Sequence, residues 1–136
     1  MRDVRARVEQ VKRADLAGAV ESAQVLAADL EAVARRVAAA RAAIAAATST
    51  RDHLLARGVA AATITHLERH LRRLRRDLEA VLGEQLRAEA AHRGQLDAVD
   101  TARERLTLAR AEREVIERHF ANWRAERRKL AERRED

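Results

Sequence analysis

The chain has 136 residues, with 28 Lys and Arg against 22 Asp and Glu, a formal charge of +6 at pH 7. It is 47% apolar but 1% aromatic and 37% charged, with no Cys and no Pro. That excludes disulfides, thiolate chemistry and Cys-based zinc sites, and it leaves too little bulk for an ordinary globular core, because Ala dominates the apolar share and burial stabilises by only about 25 cal/mol per Å².

The first predicted element is a helix over about residues 3–56. From Leu26 the chain steps alternately by four and three through Leu30, Val33, Val37, Ala40, Ile44, Ala47, Arg51 and Leu54, and eight of these nine positions are apolar. Ala23, Ala19 and Leu16 continue this seam upstream, and Val4, Val8 and Val11 form another piece in a slightly shifted register. A repeat of 3.5 residues is the signature of a coiled coil.

A loop is expected over about 57–64, with Gly58 as the left-handed residue that ends the first helix. Thr65 and Glu68 have the spacing of a capping box, so a second helix is expected over about 65–134. Its seam runs Ile64, Leu67, Leu71, Leu74, Leu78 and Val81, and loosens between Gly83 and Gly94, where Gln85 and His92 fall on core positions. It resumes through Leu96, Val99, Leu106, Ile116, Phe120, Trp123 and Leu130, with Arg113 and Arg127 as breaks.

Two amphipathic helices with a short loop bury their stripes most simply against each other. The expected fold is all-α, two long helices in an antiparallel coiled-coil hairpin forming one domain over 1–136. Helix one at ~1.5 Å per residue would make a rod roughly 80 Å long. A bend near residue 59 sets Ala47 opposite Leu71, Ile44 opposite Leu74, Ala40 opposite Leu78 and Val37 opposite Val81. On the same count Phe120, Trp123 and Leu130 lie beyond the start of helix one. These are the only Phe, the only Trp and a Leu on one stripe, and they require another surface to cover them. The competing reading has the first residues, Val4 and Val8 among them, close over the pair.

In its two long antiparallel helices and Gly-bearing loop the chain resembles the type III export stalk proteins, the FliJ and YscO type of the flagellar and injectisome systems. The opening "ITHLERHLRRLRRDLEAV" of helix two and the charged ending "ERHFANWRAERRKLAERRED" carry the resemblance further. It implies a non-catalytic stalk, cytoplasmic and peripheral to the export apparatus. The stalk would dock in the pore of a hexameric export ATPase and link it to the membrane export gate, with cargo chaperones as further partners. The end bearing the termini would enter the ATPase, which assigns Phe120, Trp123, Arg124, Arg127 and Leu130 to that contact. The start of helix two would meet the gate, through His66, Arg69, His70, Arg72, Arg73 and Arg76. His70 stands where the family presents a bulky apolar contact, a departure within that segment.

Other chemistry is sparse. His66 and His70 are four apart and would share a helix face, but no third ligand is near, so no metal is expected. No nucleophile with a base, Gly-rich phosphate loop or paired-carboxylate cleft is present, and neither a cofactor, a small-molecule substrate nor catalysis is expected. No window of 18 uncharged apolar residues occurs, so membrane insertion is not expected, and no signal peptide is visible at the start. The absence of Cys fits a reducing cytoplasm. The stripe Arg69, Arg72, Arg73 and Arg76 falls on the outer face of helix two and supports a second reading, a nucleic-acid-associated basic coiled-coil protein. It contains no aromatic for stacking, which ranks that reading below the export stalk.

Overall fold

The computed structural model describes residues 1–135 and is all-α: α1 spans Arg2–Arg57 and α2 spans Ala61–Glu135. The two helices pack against each other as a helical hairpin. The chain divides into two compact units, one of residues 24–94 and one of residues 1–23 with 95–136.

In the unit of residues 24–94 the connection is three residues long. Gly58 adopts φ +73°, a left-handed conformation open to glycine at little cost. Its N–H donates to the Leu55 carbonyl at 3.2 Å and that of Val59 to Leu54 at 3.4 Å, the paired bonds of a Schellman motif. The end of α1 is therefore where the sequence placed it. The start of α2 is not. The helix opens at Ala61, with the Ala60 carbonyl accepting from Thr63 and Ile64, so the expected loop over 57–64 is too long. Thr65 does not cap: its Oγ1 donates back to the Ala61 carbonyl at 3.0 Å. Glu68 instead accepts from Arg51 across the hairpin. Ala60 has no side-chain oxygen, so nothing in the sequence marked the true N-cap.

The seam in this unit follows the expected positions. Val37 and Leu71 are buried, Leu71 completely, and Leu26, Leu30, Val33, Ala40, Ile44, Ala47, Ile64, Leu67, Leu74, Leu78 and Val81 are half-buried. Cross-helix pairs Arg36–Glu84 and Arg51–Glu68 bracket the layers from Val37 to Ala47 on α1 and Leu71 to Val81 on α2. Arg51, the one charged residue in the first run, keeps its seam position by pairing. Its guanidinium donates to Glu68 at 3.0 Å and to Asp52 at 3.2 Å, bonds that raise its pKa above the ordinary arginine value, Glu68 first. Through Gly83 and on to Gly94 the helix is continuous, and Gln85, Ala88 and His92 hold half-buried core positions without a break in frame.

In the unit built from the chain ends the core is Ala23, Val99, Leu106 and Ala109, with Glu9 buried among them at 3% exposure. Here two expectations fail. Leu96 is exposed and Gln95 takes the seam position, donating from Nε2 to the Ala19 carbonyl at 3.0 Å. On α1 the register does not shift. Counting back from Leu16 by fours and threes gives Lys12, Glu9 and Arg5, which are half-buried or buried; of the expected shifted piece Val8 is half-buried, while Val4 and Val11 are exposed. Glu9 and Arg5 are tolerated because α2 answers their charges. Glu9 lies 2.9 Å from Arg13 and Arg113 and 3.6 Å from Arg110, and Arg5 pairs with Glu112. Arg113 Nε is out of line for a hydrogen bond to Glu9 Oε2, so that contact is chiefly Coulombic. Arg113 is thus no break in the seam but the partner of a buried carboxylate.

Candidate partner-binding surfaces

The first surface is the far end of α2. Every residue from Glu117 to Glu135 is exposed except half-buried Ala125, because α1 begins at Arg2 and supplies no apolar layer beyond Ile116. The seam frame nevertheless continues through Phe120, Trp123, Arg127 and Leu130, which puts the four on one stripe with Arg124 beside them. Phe120 is 37% exposed, Trp123 47% and Leu130 54%.

The two rings stack on each other, with centroids 5.6 Å apart and planes 29° apart. Guanidinium groups lie over their faces: Arg124 is 4.9 Å and Arg2 5.4 Å from the Phe120 centroid, and Arg127 is 5.3 Å from that of Trp123. Each such contact contributes ~0.5–1 kcal/mol at an exposed site. A recess of about 460 Å³ runs along this side, lined by Ala121, Trp123, Arg124, Arg127 and Arg128. The result is an aromatic platform sheathed in positive charge. Arg2 is the member that sequence reasoning missed. The first turn of α1 reaches Phe120 with a cation, and Val4, given to the closing role in the competing reading, is exposed.

Beside that first turn, Val4, Val8 and Val11 form an apolar strip with Arg7 and Lys12, around a groove of about 330 Å³. Their spacing is that of a helix stripe. The heptad frame alone distinguishes it from the buried one.

The second surface is at the start of α2, in the unit of residues 24–94. His66, Arg69, His70, Arg72, Arg73 and Arg76 are all exposed, as expected for the outer face. Arg69, Arg72, Arg73 and Arg76 surround a recess of about 230 Å³. None of the four has an ion-pair partner among the described residues. Arg72 makes one long contact, 3.5 Å, to the Glu68 carbonyl. Asp77 shares an adjoining recess with His70, Leu74, Arg73 and Arg76 without reaching ion-pair distance. Among the described residues no group of three His, Asp or Glu could hold a metal ion, and no helix is long and apolar enough to cross a membrane.

Comparison of the chain with models of protein families, with curated proteins and with solved structures gave no match.

Proposed function

We propose that this chain is a non-catalytic stalk of a type III protein-export apparatus, flagellar or injectisome, that docks in a hexameric export ATPase and links it to the membrane export gate. The observation that carries the reading is the stretch Glu117–Glu135, a helix that continues its apolar seam with Phe120, Trp123 and Leu130 exposed. Two stacked aromatic rings on an exposed helix lose little conformational freedom on docking and bury a large area, which is how interface anchors act. Arg124, Arg127, Arg128 and Arg134 around them supply long-range attraction to an acidic pore and would make association faster at low salt.

The test is binding of the full chain to the export ATPase of the same organism. Replacing Phe120 and Trp123 together by Ala should leave helicity and melting nearly unchanged, since both rings are exposed and the α1 residue over the Phe120 ring is a charged Arg2. Affinity should fall by a factor of roughly 10² or more, because truncating a buried anchor costs ~2 kcal/mol or more. Absence of binding by the unaltered chain, or undiminished binding by the double variant, overturns the reading. A large drop in melting temperature with intact binding by the folded fraction would make the pair structural.

A further inference from the structure

We infer that the outer face of α2 from Arg69 to Arg76 binds the phosphate backbone of duplex nucleic acid, without reading its sequence. This goes beyond the export-stalk reading and does not rest on it. Three observations point the same way.

The first is that the charge is uncompensated. Arg69, Arg72, Arg73 and Arg76 are exposed and unpaired among the described residues, and Arg75 adds a fifth exposed cation on the flank. Between Glu31 and Asp52, α1 contains no carboxylate, so the run of Ala, Thr and Ser facing this part of α2 has nothing to neutralise it. Of the nearby acids, Asp52 and Glu68 are both engaged by Arg51, Asp77 borders the stripe, and Glu79 lies a turn beyond Arg76 without an ion pair to it. Surfaces of paired Arg and Glu are ordinary on coiled coils. This one is not of that kind.

The second is geometry. The four guanidinium groups surround one recess of about 230 Å³, and Arg69, Arg72 or Arg73, and Arg76 follow each other at one helix turn, ~5 Å of axial rise. Several planar donor forks around one hollow suit the oxygens of successive phosphates.

The third is what the face lacks. Leu67, Leu71 and Leu74 lie on the seam, Leu71 completely buried and Leu74 half-buried beside Arg73 and Arg76, so no exposed large apolar side chain lies among the outward arginines. A lipid surface would need such residues to enter the acyl boundary, and a protein interface would need a desolvated anchor. With no aromatic to stack on unpaired bases, the face favours a duplex backbone over a single strand.

The experiment is fluorescence anisotropy of a labelled 20-base-pair DNA duplex titrated with the full chain. Neutralising three to four phosphates predicts that affinity falls roughly 40- to 150-fold between 50 and 200 mM salt, equally for duplexes of unrelated sequence. Changing Arg69, Arg72, Arg73 and Arg76 to Gln, which keeps helix propensity, should remove most binding and flatten the salt dependence. The same four changed to Lys should retain it, because phosphate attraction needs the charge. A control with Arg35, Arg87, Arg93 and Arg105 changed to Gln loses the same formal charge and should bind within about threefold of the unaltered chain. Circular dichroism verifies that each variant is helical. Equal losses in the two Gln variants, or no duplex binding at 50 mM salt, overturn the inference. So does stripe-dependent sedimentation with phosphatidylserine vesicles when the duplex is not bound.

Discussion

Glu9 is the residue at which the physical chemistry of the hairpin is least ordinary. A carboxylate at a heptad core position, 3% exposed, costs desolvation that a Leu there would not, and it is held by Arg113 and Arg13 at 2.9 Å and Arg110 at 3.6 Å. The arginines themselves remain 38–61% exposed, so the network is screened and its net contribution is modest. Removing one partner is another matter, because it leaves the buried carboxylate with fewer cations. Arg113→Leu should therefore destabilise by about 1–3 kcal/mol. Adding Glu9→Leu should restore the loss or exceed it, since two apolar residues then fill the layer. Urea unfolding of the two variants checks this. If the double variant is less stable than the unaltered chain, the network is worth more than a packed apolar layer. The same polar layer opposes sliding of one helix past the other, since a one-heptad slip would set Glu9 against an apolar residue.

At the scale of an element, α2 is one helix of 75 residues in which apolar content falls while the 3.5-residue frame holds. Gly83 and Gly94 lie in its middle, and the division between the two compact units falls at Gly94. Neither glycine is required by the space around it. A Cβ at Gly94 would meet nothing within 4 Å, and at Gly83 only the end of the Arg87 side chain at 3.6 Å. Each costs the helix roughly 1 kcal/mol relative to Ala. Gly83→Ala and Gly94→Ala should each raise stability by about 0.5–1 kcal/mol, and amide exchange over residues 83–94, expected to be the fastest of the α2 interior, should slow in both. Exchange that is slowest in this segment of the unaltered chain would refute the local weakness. The frame was the legible feature of these helices, and individual residues were not. Strict alternation of fours and threes located the half-buried positions from Leu16 to Leu54 and from Ile64 to Val81. Where apolar identity was preferred to the frame, at Val4, Val11 and Leu96, the reading went astray, because charge pairs and a side-chain amide satisfy core positions as well as methyl groups do, and of that shifted piece only Val8 is half-buried. The start of α2 was illegible for a different reason: Ala60 caps with its carbonyl alone. Phe120 and Trp123 were legible as a surface from their rarity and from the length of α2 past α1, but the guanidinium groups over their faces depend on exact register at the open end, which composition does not convey.

For the molecule as a whole the question is whether the two seams meet within one chain or between two. Sequences of this composition, rich in Ala and Arg and with a continuous heptad, are also suited to two long parallel or antiparallel chains. The loop decides against that. With Gly58 at φ +73°, the N–H groups of Gly58 and Val59 satisfy two of the last free carbonyls of α1 while the chain turns, and only Val59 and Ala60 follow before α2 begins. A connection this short keeps the two helices as neighbours and gives the intramolecular pairing a high effective concentration. The buried area per layer is small, with Ala40 and Ala47 on one side, so an intermolecular version of the same seam would have to overcome the entropy of association with little apolar gain. Ile44 and Leu74 occupy seam positions between the Arg36–Glu84 and Arg51–Glu68 pairs, within one unit. Cys introduced at both positions should therefore form a disulfide within a single chain under mild oxidation, independent of protein concentration, giving a monomer of faster mobility on non-reducing gels. Cross-linking that appears only as a dimer, and grows with concentration, would mean that the seam closes between chains and that the bend at Gly58 opens in solution.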